Sequence, residues 1–462
     1  MKGARAAFCW ARSGSSTVNR VPADTPAGQA ARVPARAGHL NSGNPCREQG
    51  FYGWRLLFFL WVVYTIPIGF AYYSPAVLYP FMIREFGWSR GETMAGATAL
   101  MLTFGLASPL TALMIARIGA RATIVAGAVL LALASSLTAA FGHLYALFLV
   151  LSVAVGLGAS LASMIPVQTV VMTWFNTRRA MALGLVLGGG AIGGFVAPQI
   201  IDRAAAAAND SWQVGWIVVA SASAVAGLVA LATIRNRPED MGQHPDGFGP
   251  QAEGPSGQPA LRTTGTYRTT RVWTVREALR TRSLWLLVVA SGGCFFLWQL
   301  VVTQGPLHLQ DRGFDTSKAA FFYSLAIGLS IVGRFTIALL GDRIEPRRLF
   351  AGGTLCVLAG GVLFWFVSPS GRWAAYLYPL LTGFGFGVAY VCIPTLVGNY
   401  WGAASFAGLS GVLSPVTMLI QTSAAPLAGF VYDLQGSYLP ALIIAWGGAA
   451  VGFIAILFCK PP

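Results

Sequence analysis

Continuous runs of about twenty apolar residues recur along most of this chain and restrict it to very few folds. Each run is long enough to cross a hydrocarbon layer of about 30 Å as an α-helix. Strands of a membrane barrel would instead alternate apolar and polar residues. Only 10% of the residues are charged, against about 25% in soluble domains. We therefore predict an all-α membrane protein with twelve transmembrane helices. The predicted spans are 54–81, 93–115, 122–141, 145–172, 180–201, 213–234, 283–309, 317–340, 349–367, 374–397, 406–432 and 439–459.

The basic residues predict how the chain is oriented. Membrane proteins concentrate lysine and arginine in the short loops on the cytoplasmic side. If the N-terminus is inside, the inner segments hold 24 of the 31 basic residues, the outer loops hold six, and Arg334 lies within a span. This distribution predicts a multi-pass protein of the cell inner membrane with both termini in the cytoplasm. The same distribution accounts for the net charge of +15, because the basic residues lie on loops and tails beside the spans, next to the lipid bilayer. We therefore expect no nucleic-acid partner.

Two polar segments outline the domains. Residues 1–50 are rich in Ala, Arg, Ser and Pro and lack an apolar core, so we predict a disordered cytoplasmic tail. Residues 235–282 contain a stretch rich in Pro and Gly, which predicts a cytoplasmic linker. The remaining chain divides into an N-terminal six-helix bundle at 51–234 and a C-terminal six-helix bundle at 283–462.

The two halves are related by a constant offset of 226 residues. Gly87-Trp88-Ser89 aligns with Gly313-Phe314-Asp315, and Trp174-Phe175 aligns with Tyr400-Trp401. Separate loops that keep one register indicate an internal repeat. Parallel six-helix repeats are the architecture of major facilitator transporters, in which substrate binds near the membrane midplane between the halves.

Three segments resemble motifs of known transporters. Residues 338–348, ALLGDRIEPRR, are similar to the loop that follows helix 8 in the major facilitator superfamily. GFYGWR at 50–55 and WFNTRRAMALGLVLGGGAIGG at 174–194 resemble signatures of the monocarboxylate transporters. Over residues 50–460 the chain is similar to bacterial monocarboxylate-porter-like transporters, which are related to the oxalate:formate antiporters. The resemblance implies the major facilitator fold, with two pseudo-symmetric six-helix bundles, and transport by alternating access.

The resemblance also implies a gate at the cytoplasmic ends of the helices. In the family, an Asp in the loop motif helps to latch this gate. Asp342 matches that residue, whereas Ala116 occupies the corresponding position after helix 2. The candidate gating residues are Asp342, Arg343, Arg347, Arg117, Arg121, Arg178 and Arg179.

One cation lies deep within a predicted span. The segment 321–340, FFYSLAIGLSIVGRFTIALL, contains Arg334, and a charged residue inside a membrane is costly and usually functional. We expect Arg334 to face a wet cavity and to bind an anion. In the monocarboxylate transporters, an Arg at this position receives the substrate carboxylate, and an Asp four residues earlier takes part in proton coupling. Ser330 replaces that Asp here, and no acidic residue lies at the centre of a predicted helix.

A single buried cation predicts a substrate with a single negative charge. Because one guanidinium pairs best with one carboxylate, we expect small organic monoanions: lactate, pyruvate, other short 2-oxo or hydroxy acids, or an aromatic acid. Further residues lie on helices that are expected to line the cavity, and they could contact such a substrate. They are Tyr72, Tyr73, Trp298, Gln299, Tyr390, Gln168 and Gln421.

The sequence leaves the mode of transport open. The resemblance implies symport with protons, which is electroneutral for a monoanion. Carboxylate antiport of the oxalate/formate type, or facilitated uniport, would need no proton-binding carboxylate. A transporter-like sensor that signals through a partner is a further alternative.

We expect neither an enzyme nor a bound metal or other cofactor, because the sequence lacks a nucleophile constellation, a nucleotide loop outside the spans and Cys/His metal spacing. We expect the protein to function as a monomer.

Overall fold

The computed structural model describes residues 50–73, 75–247, 266–368 and 372–462. Within these residues the chain forms helices, turns and coil but no β-strand, so the predicted all-α class is confirmed. Of the predicted tail only Gly50 is described, and residues 248–265 of the predicted linker also lie outside the described part of the chain.

Eight α-helices precede the linker in the described residues. Short breaks divide three of the predicted spans into consecutive helices, one of them at Ala107 between the third and fourth helices. A π-helical segment, Pro67–Tyr73, follows the first helix, and Ser163, in a non-helical conformation, separates the fifth from the sixth. The helices are α1 Gly53–Ile66, α2 Pro75–Phe86, α3 Arg90–Leu106, α4 Ser108–Phe141, α5 Tyr145–Ala162, α6 Met164–Trp174, α7 Arg179–Ala207 and α8 Trp212–Thr233.

Seven further α-helices follow in the described residues. The first of them is a short helix at the end of the linker. It begins with a capping box, in which Thr274 and Glu277 satisfy each other's backbone N–H groups. The helices are α9 Val275–Leu279, α10 Arg282–Asp311, α11 Thr316–Leu340, α12 Pro346–Trp365, α13 Arg372–Thr422, α14 Ala424–Gln435 and α15 Leu439–Phe458.

Ten segments of the described chain are long and apolar enough to cross a membrane. The two longest described helices are α4 with 34 residues and α13 with 51, whereas about 20 suffice for one crossing. Each contains a glycine with a φ of 84°, Gly119 in α4 and Gly402 in α13. Glycine adopts this conformation without the strain that other residues would suffer. The backbone therefore turns inside both helices, and α13 has a first arm before Gly402 and a second arm after it.

The offset of 226 residues reappears in the conformation of two matching loops. Gly87 and Gly313 both have positive φ, 66° and 88°. Two residues later, Ser89 and Asp315 are the N-caps of α3 and α11, with φ of −66° and −67° and the same ψ of 157°. Each cap side chain accepts a hydrogen bond from the backbone N–H three residues further on. The shared turn and cap support the internal repeat.

Contacts between the two halves of the chain run through a few helices. α7 packs on α11, and α13 packs on α3, α4 and α6. In the first of these contacts, a Cβ on Gly184 of α7 would lie 2.8 Å from the backbone oxygen of Arg334. Small residues let membrane helices approach in this way. The contact between α7 and α11 brings Arg334 between the halves.

Candidate functional site

Arg334 is buried where the two halves meet. Its side chain, carried by α11, is 6% exposed. Nη1 donates a hydrogen bond to the backbone oxygen of Leu187 in α7 at 2.7 Å, and the guanidinium carbon lies 4.6 Å from the centre of the Tyr390 ring, in the range of a cation–π interaction. Among the described residues, Nε has no hydrogen-bond partner and no carboxylate pairs with this side chain. The cation therefore retains donor capacity for an added anion.

Two glycines hold α11 against the first arm of α13 and so place Arg334 beside Tyr390. A Cβ on Gly387 would overlap the backbone oxygen of Ser330, and one on Gly333 would overlap the backbone of α13. Helix backbones come this close only where side chains are absent. The position of the guanidinium over the Tyr390 ring thus depends on glycine at both positions.

Aromatic side chains surround Tyr390. Its hydroxyl lies 3.2 Å from the hydroxyl of Tyr64 in α1. Its ring centre lies 5.6 Å from that of Phe386 and 6.1 Å from that of Phe295. Trp298 stacks on Phe386 with ring centres 4.3 Å apart and an angle of 4° between the planes. The cluster forms an apolar wall beside a cation, a combination that suits an anion with an apolar body.

A cavity borders Tyr390. It lies between α6, α10 and both arms of α13 and has room for roughly five to seven water-sized groups. Its lining is mostly apolar and includes Leu287, Phe295 and Val397. One lining side chain, Gln168 of α6, is 2% exposed, and its Nε2 has no hydrogen-bond partner among the described residues. We call this space the Gln168 cavity.

Hydrogen bonds to Asp342 join the two halves at one end of the helices. The carboxylate, which follows α11, accepts hydrogen bonds from the backbone N–H groups of Ala180 and Met181 at 3.0 and 2.9 Å. These N–H groups lie at the start of α7, where the helix dipole favours a negative charge. Burial raises the pKa of the Asp342 carboxyl above its usual value, although the two N–H groups and Arg268 act in the opposite direction. The contact is therefore made at a desolvation cost.

Arg179 makes a second contact at the same end. Its side chain is 5% exposed. Nη1 donates hydrogen bonds to the backbone oxygen of Gly398 at 2.8 Å and to Oδ1 of Asn399 at 3.0 Å. Both acceptors lie near the end of the first arm of α13, so Arg179 joins α7 to α13. We refer to the region of Asp342 and Arg179 as the closed end.

The C-terminal part of the linker lies across the closed end. Arg268 donates from Nη2 to the backbone oxygen of Thr177 at 2.7 Å, and the same nitrogen lies 3.6 Å from a carboxylate oxygen of Asp342. The following residue, Thr269, donates its backbone N–H to the oxygen of Asn399 at 2.8 Å. Since Thr177 belongs to the first half and Asp342 to the second, Arg268 ties the two halves together.

The chain matches the profile described as Major Facilitator Superfamily over residues 57–419. The match covers more than half of the chain and includes both Arg334 and Asp342. The chain belongs to the Major Facilitator Superfamily. The resemblance drawn from the loop motif at 338–348 is confirmed at the level of the superfamily.

Curated relatives of this superfamily member include monocarboxylate transporters. It is 26% identical over 370 residues to monocarboxylate transporter 13 of Rattus norvegicus, which covers 77% of this chain and 78% of the relative. It is 23% identical over 386 residues to monocarboxylate transporter 2 of Homo sapiens, with 81% and 79% covered. The superfamily and these relatives are transporters, so the expected transport of a small molecule across a membrane is confirmed at this level.

Solved structures show the same fold. The crystal structure of the superfamily transporter FucP in the outward conformation superposes with a TM-score of 0.69 at 16% identity and covers 89% of this chain and 100% of that one. The proton:xylose symporter XylE gives a TM-score of 0.66 at 15% identity, with 87% and 95% covered. At these identities the likeness establishes the major facilitator fold alone.

Several predicted binding residues of this superfamily member lie close together. Arg334 contacts Tyr390, and Trp298 belongs to the same aromatic cluster. Gln168 lines the cavity that also borders Tyr390. These four residues surround one region between the halves.

The other four predicted binding residues contact one another in pairs. Gln421 donates from Nε2 to Oε1 of Gln299 at 3.0 Å, which joins the second arm of α13 to α10. Tyr72 and Tyr73 lie in the π-helical segment, where their rings meet edge to face at 5.1 Å. Tyr73 is 44% exposed. A role for these four in binding stays a prediction.

Of the predicted gating residues, Asp342 and Arg179 join the two halves. Arg117 and Arg343 stay predictions. The contacts described for the remaining three lie within their own half of the chain. They are Arg121, which donates to the backbone oxygen of Leu231; Arg178, which lies over the Trp54 ring; and Arg347, which donates to the backbone oxygen of Cys459.

Sequence reasoning does not identify Arg268 or Asn399, although both bond across the closed end. Arg268 lies in a polar linker, where a charged residue gives no signal for a particular contact. Asn399 sits in an apolar stretch and resembles a residue used for helix packing. The sequence contains one signal that a further contact is needed at this end: the acid of the loop motif occurs at Asp342, but Ala116 occupies the corresponding position in the first half.

Proposed function

We propose that this superfamily member is a secondary active transporter of small organic monoanions, chiefly monocarboxylates, that works by alternating access and is coupled to protons. The observation that carries the proposal is the buried guanidinium of Arg334, with a free Nε and without an acidic partner in the described residues. A charge in this position is costly, and a substrate carboxylate would offset the cost with charge-assisted hydrogen bonds. The relatives named monocarboxylate transporters support this substrate class.

The proposal also covers the number of membrane crossings, their arrangement in two bundles and the orientation in the membrane. When α4 is divided at Gly119 and α13 at Gly402, the described helices make twelve membrane crossings. In this division α3 forms the main part of the second crossing, and the part of α4 before Gly119 completes it. We propose two pseudo-symmetric six-helix bundles at 51–234 and 283–462, joined by the linker at 235–282. The distribution of basic residues supports a location in the cell inner membrane with both termini in the cytoplasm. We also propose that the protein is related to bacterial monocarboxylate-porter-like transporters and that it functions as a monomer.

In this proposal the closed end is the cytoplasmic gate. Asp342 and Arg179 hold the two halves together there, and both contacts must break before a substrate can leave toward the cytoplasm. Ala116 cannot supply the second carboxylate that the loop motif would provide in the first half. Arg268 of the linker contributes an additional tie on the side of Asp342.

Replacement of Arg268 by alanine is expected to open the gate more often. The variant loses a hydrogen bond from a charged donor to Thr177 and an ion pair with Asp342, which together correspond to a shift of at least about tenfold toward the open state. The readout is the labelling rate of a Val397→Cys reporter by a membrane-impermeant maleimide in inside-out vesicles, with the six native cysteines replaced by alanine. Val397 is 1% exposed and lines the Gln168 cavity.

Arg271→Ala is the matched control for the gate experiment. Arg271 lies three residues further along the linker and pairs with Glu277 at 3.0 Å, but both side chains are exposed and belong to the linker. We expect Arg271→Ala to label at the rate of the parent protein. Equal labelling rates for Arg268→Ala and Arg271→Ala would show that Arg268 does not hold the gate.

The direction of coupling is tested by a pH gradient. For symport of one proton with one monoanion, each pH unit of inward proton gradient is worth about 1.4 kcal/mol and allows about tenfold accumulation of substrate. The measurement is uptake of a radiolabelled monocarboxylate into proteoliposomes with an alkaline or a matched interior. Uptake that does not depend on the pH gradient but increases when carboxylate is present inside the proteoliposomes would indicate antiport of the oxalate/formate type. Uptake that responds to neither would assign facilitated uniport.

A further inference from the structure

We infer that the substrates are monocarboxylates with a ring or branched apolar body that carries a second hydrogen-bond acceptor. The carboxylate binds at Arg334, and the body occupies the Gln168 cavity. The inference rests on the proposed transport of monoanions. It narrows the expected substrates from small organic monoanions in general to this class of acids.

Two buried donors without partners in the described residues flank Tyr390. Nε of Arg334 lies on the guanidinium that stacks on the Tyr390 ring. Gln168, whose Nε2 has no partner in those residues, belongs to the lining of the cavity that the same tyrosine borders. Because a buried donor without a partner is costly, a ligand with an acceptor at each end would satisfy both. The charged donor suits the carboxylate, and the neutral amide suits a hydroxyl or carbonyl oxygen.

Two of the other hydroxyl groups that line the cavity bond to their own helices. Ser291 donates to the backbone oxygen of Leu287 at 2.8 Å, and Thr417 donates to that of Leu413 at 3.1 Å. Each of these hydroxyl protons is therefore directed at a backbone oxygen rather than at the space between the helices. Gln168 adds a buried amide donor without a partner in the described residues to a lining that is otherwise mostly apolar.

The size of the Gln168 cavity sets the size of the body. Room for roughly five to seven water-sized groups matches a phenyl ring or a branched alkyl group. The methyl group of pyruvate would leave most of this space unfilled and Gln168 unpaired. Since the gain from burying apolar surface grows with the area removed from water, the larger acids are expected to bind better. Leu287, Phe295 and Val397 supply the apolar surface.

The test compares three acids in proteoliposomes that contain the full-length protein. We expect the kcat/KM for uptake of 4-hydroxyphenylacetate to exceed that of phenylacetate, and that of phenylacetate to exceed that of pyruvate at least tenfold. Uptake of pyruvate that depends on Arg334, without transport of or competition by either aryl acid, would overturn the inference and leave the proposed function intact. Absence of uptake of every monocarboxylate by folded protein would overturn both.

Two variants locate the effect in the cavity. Gln168→Leu removes the polar atoms at similar volume, and we expect it to lower the preference for 4-hydroxyphenylacetate over phenylacetate about threefold to tenfold. Leu413→Trp fills the cavity, and we expect it to lower the preference for aryl acids over pyruvate at least tenfold. Leu339→Trp, at a side chain of α11 that is 72% exposed, is the control and should alter neither ratio. Unchanged ratios in Gln168→Leu would overturn the assignment even if Leu413→Trp did not fold.

Discussion

Replacement of Arg334 by alanine is expected to lower monocarboxylate uptake at least a hundredfold in a protein that remains folded. The carboxylate would lose two charge-assisted hydrogen bonds, each worth about 1.5–3 kcal/mol, and about 1.4 kcal/mol corresponds to a factor of ten. Folding should tolerate the change because the variant no longer buries a cation. The backbone oxygen of Leu187, which loses the hydrogen bond from Arg334, lies within α7 and can still accept the hydrogen bond of the helix. Uptake is measured in proteoliposomes at equal amounts of reconstituted protein.

Two further variants make the Arg334 result specific. Arg334→Lys keeps the charge but loses the planar fork that fits a carboxylate, so we expect uptake between those of the parent and Arg334→Ala. Arg84→Ala removes an exposed arginine that pairs with Asp210 at 3.7 Å and should transport normally. Normal uptake by Arg334→Ala would remove this residue from the binding site.

Replacement of Gly387 by alanine is expected to destabilise the protein and to lower uptake at least tenfold. The new Cβ would overlap the backbone oxygen of Ser330, so the first arm of α13 must move away from α11. Overpacking in a well-packed interior costs about 1–3 kcal/mol. The same displacement would separate Arg334 from the Tyr390 ring, because both side chains extend from the two helices that this glycine holds together.

Gly328→Ala is the control for the glycine experiment. Gly328 lies on α11, five residues before Gly333, and a Cβ there meets no atom within 4 Å. Thermal unfolding in detergent should therefore show a lower melting temperature for Gly387→Ala than for the parent, with Gly328→Ala at least as stable as the parent. Equal melting temperatures and equal uptake in the two variants would contradict the close contact between α11 and α13.

Much of the fold could be predicted from the sequence because a membrane constrains local patterns strongly. A run of apolar residues must form a helix, since unpaired backbone groups are too costly in lipid. The buried position of Arg334 followed from the run that surrounds it. The repeat could be recognised because its turns need the same residues, as Gly87 and Gly313 show with their positive φ.

The details of the site depend on contacts between distant segments, which no local pattern specifies. Gln299 and Gln421 were both predicted to contact substrate, yet they bond to each other across 122 positions of the chain. Arg268 reaches Asp342 from a linker whose composition predicts no fixed structure. The cation–π contact of Arg334 with Tyr390 likewise depends on the register of α11 against α13.

Competition by an acid and its neutral amide tests most directly whether Arg334 binds the negative charge. Phenylacetate and phenylacetamide have nearly the same shape and differ in charge. For the parent protein, we expect phenylacetate to inhibit uptake of labelled monocarboxylate and phenylacetamide to be without effect at the same concentration. In Arg334→Gln, which we expect to transport too slowly for a competition assay, the two ligands are compared by the thermal stabilisation they produce, and phenylacetate should stabilise the protein no more than phenylacetamide does. Equal inhibition by the acid and the amide in the parent protein, or undiminished discrimination in Arg334→Gln, would contradict a substrate anion bound at this guanidinium.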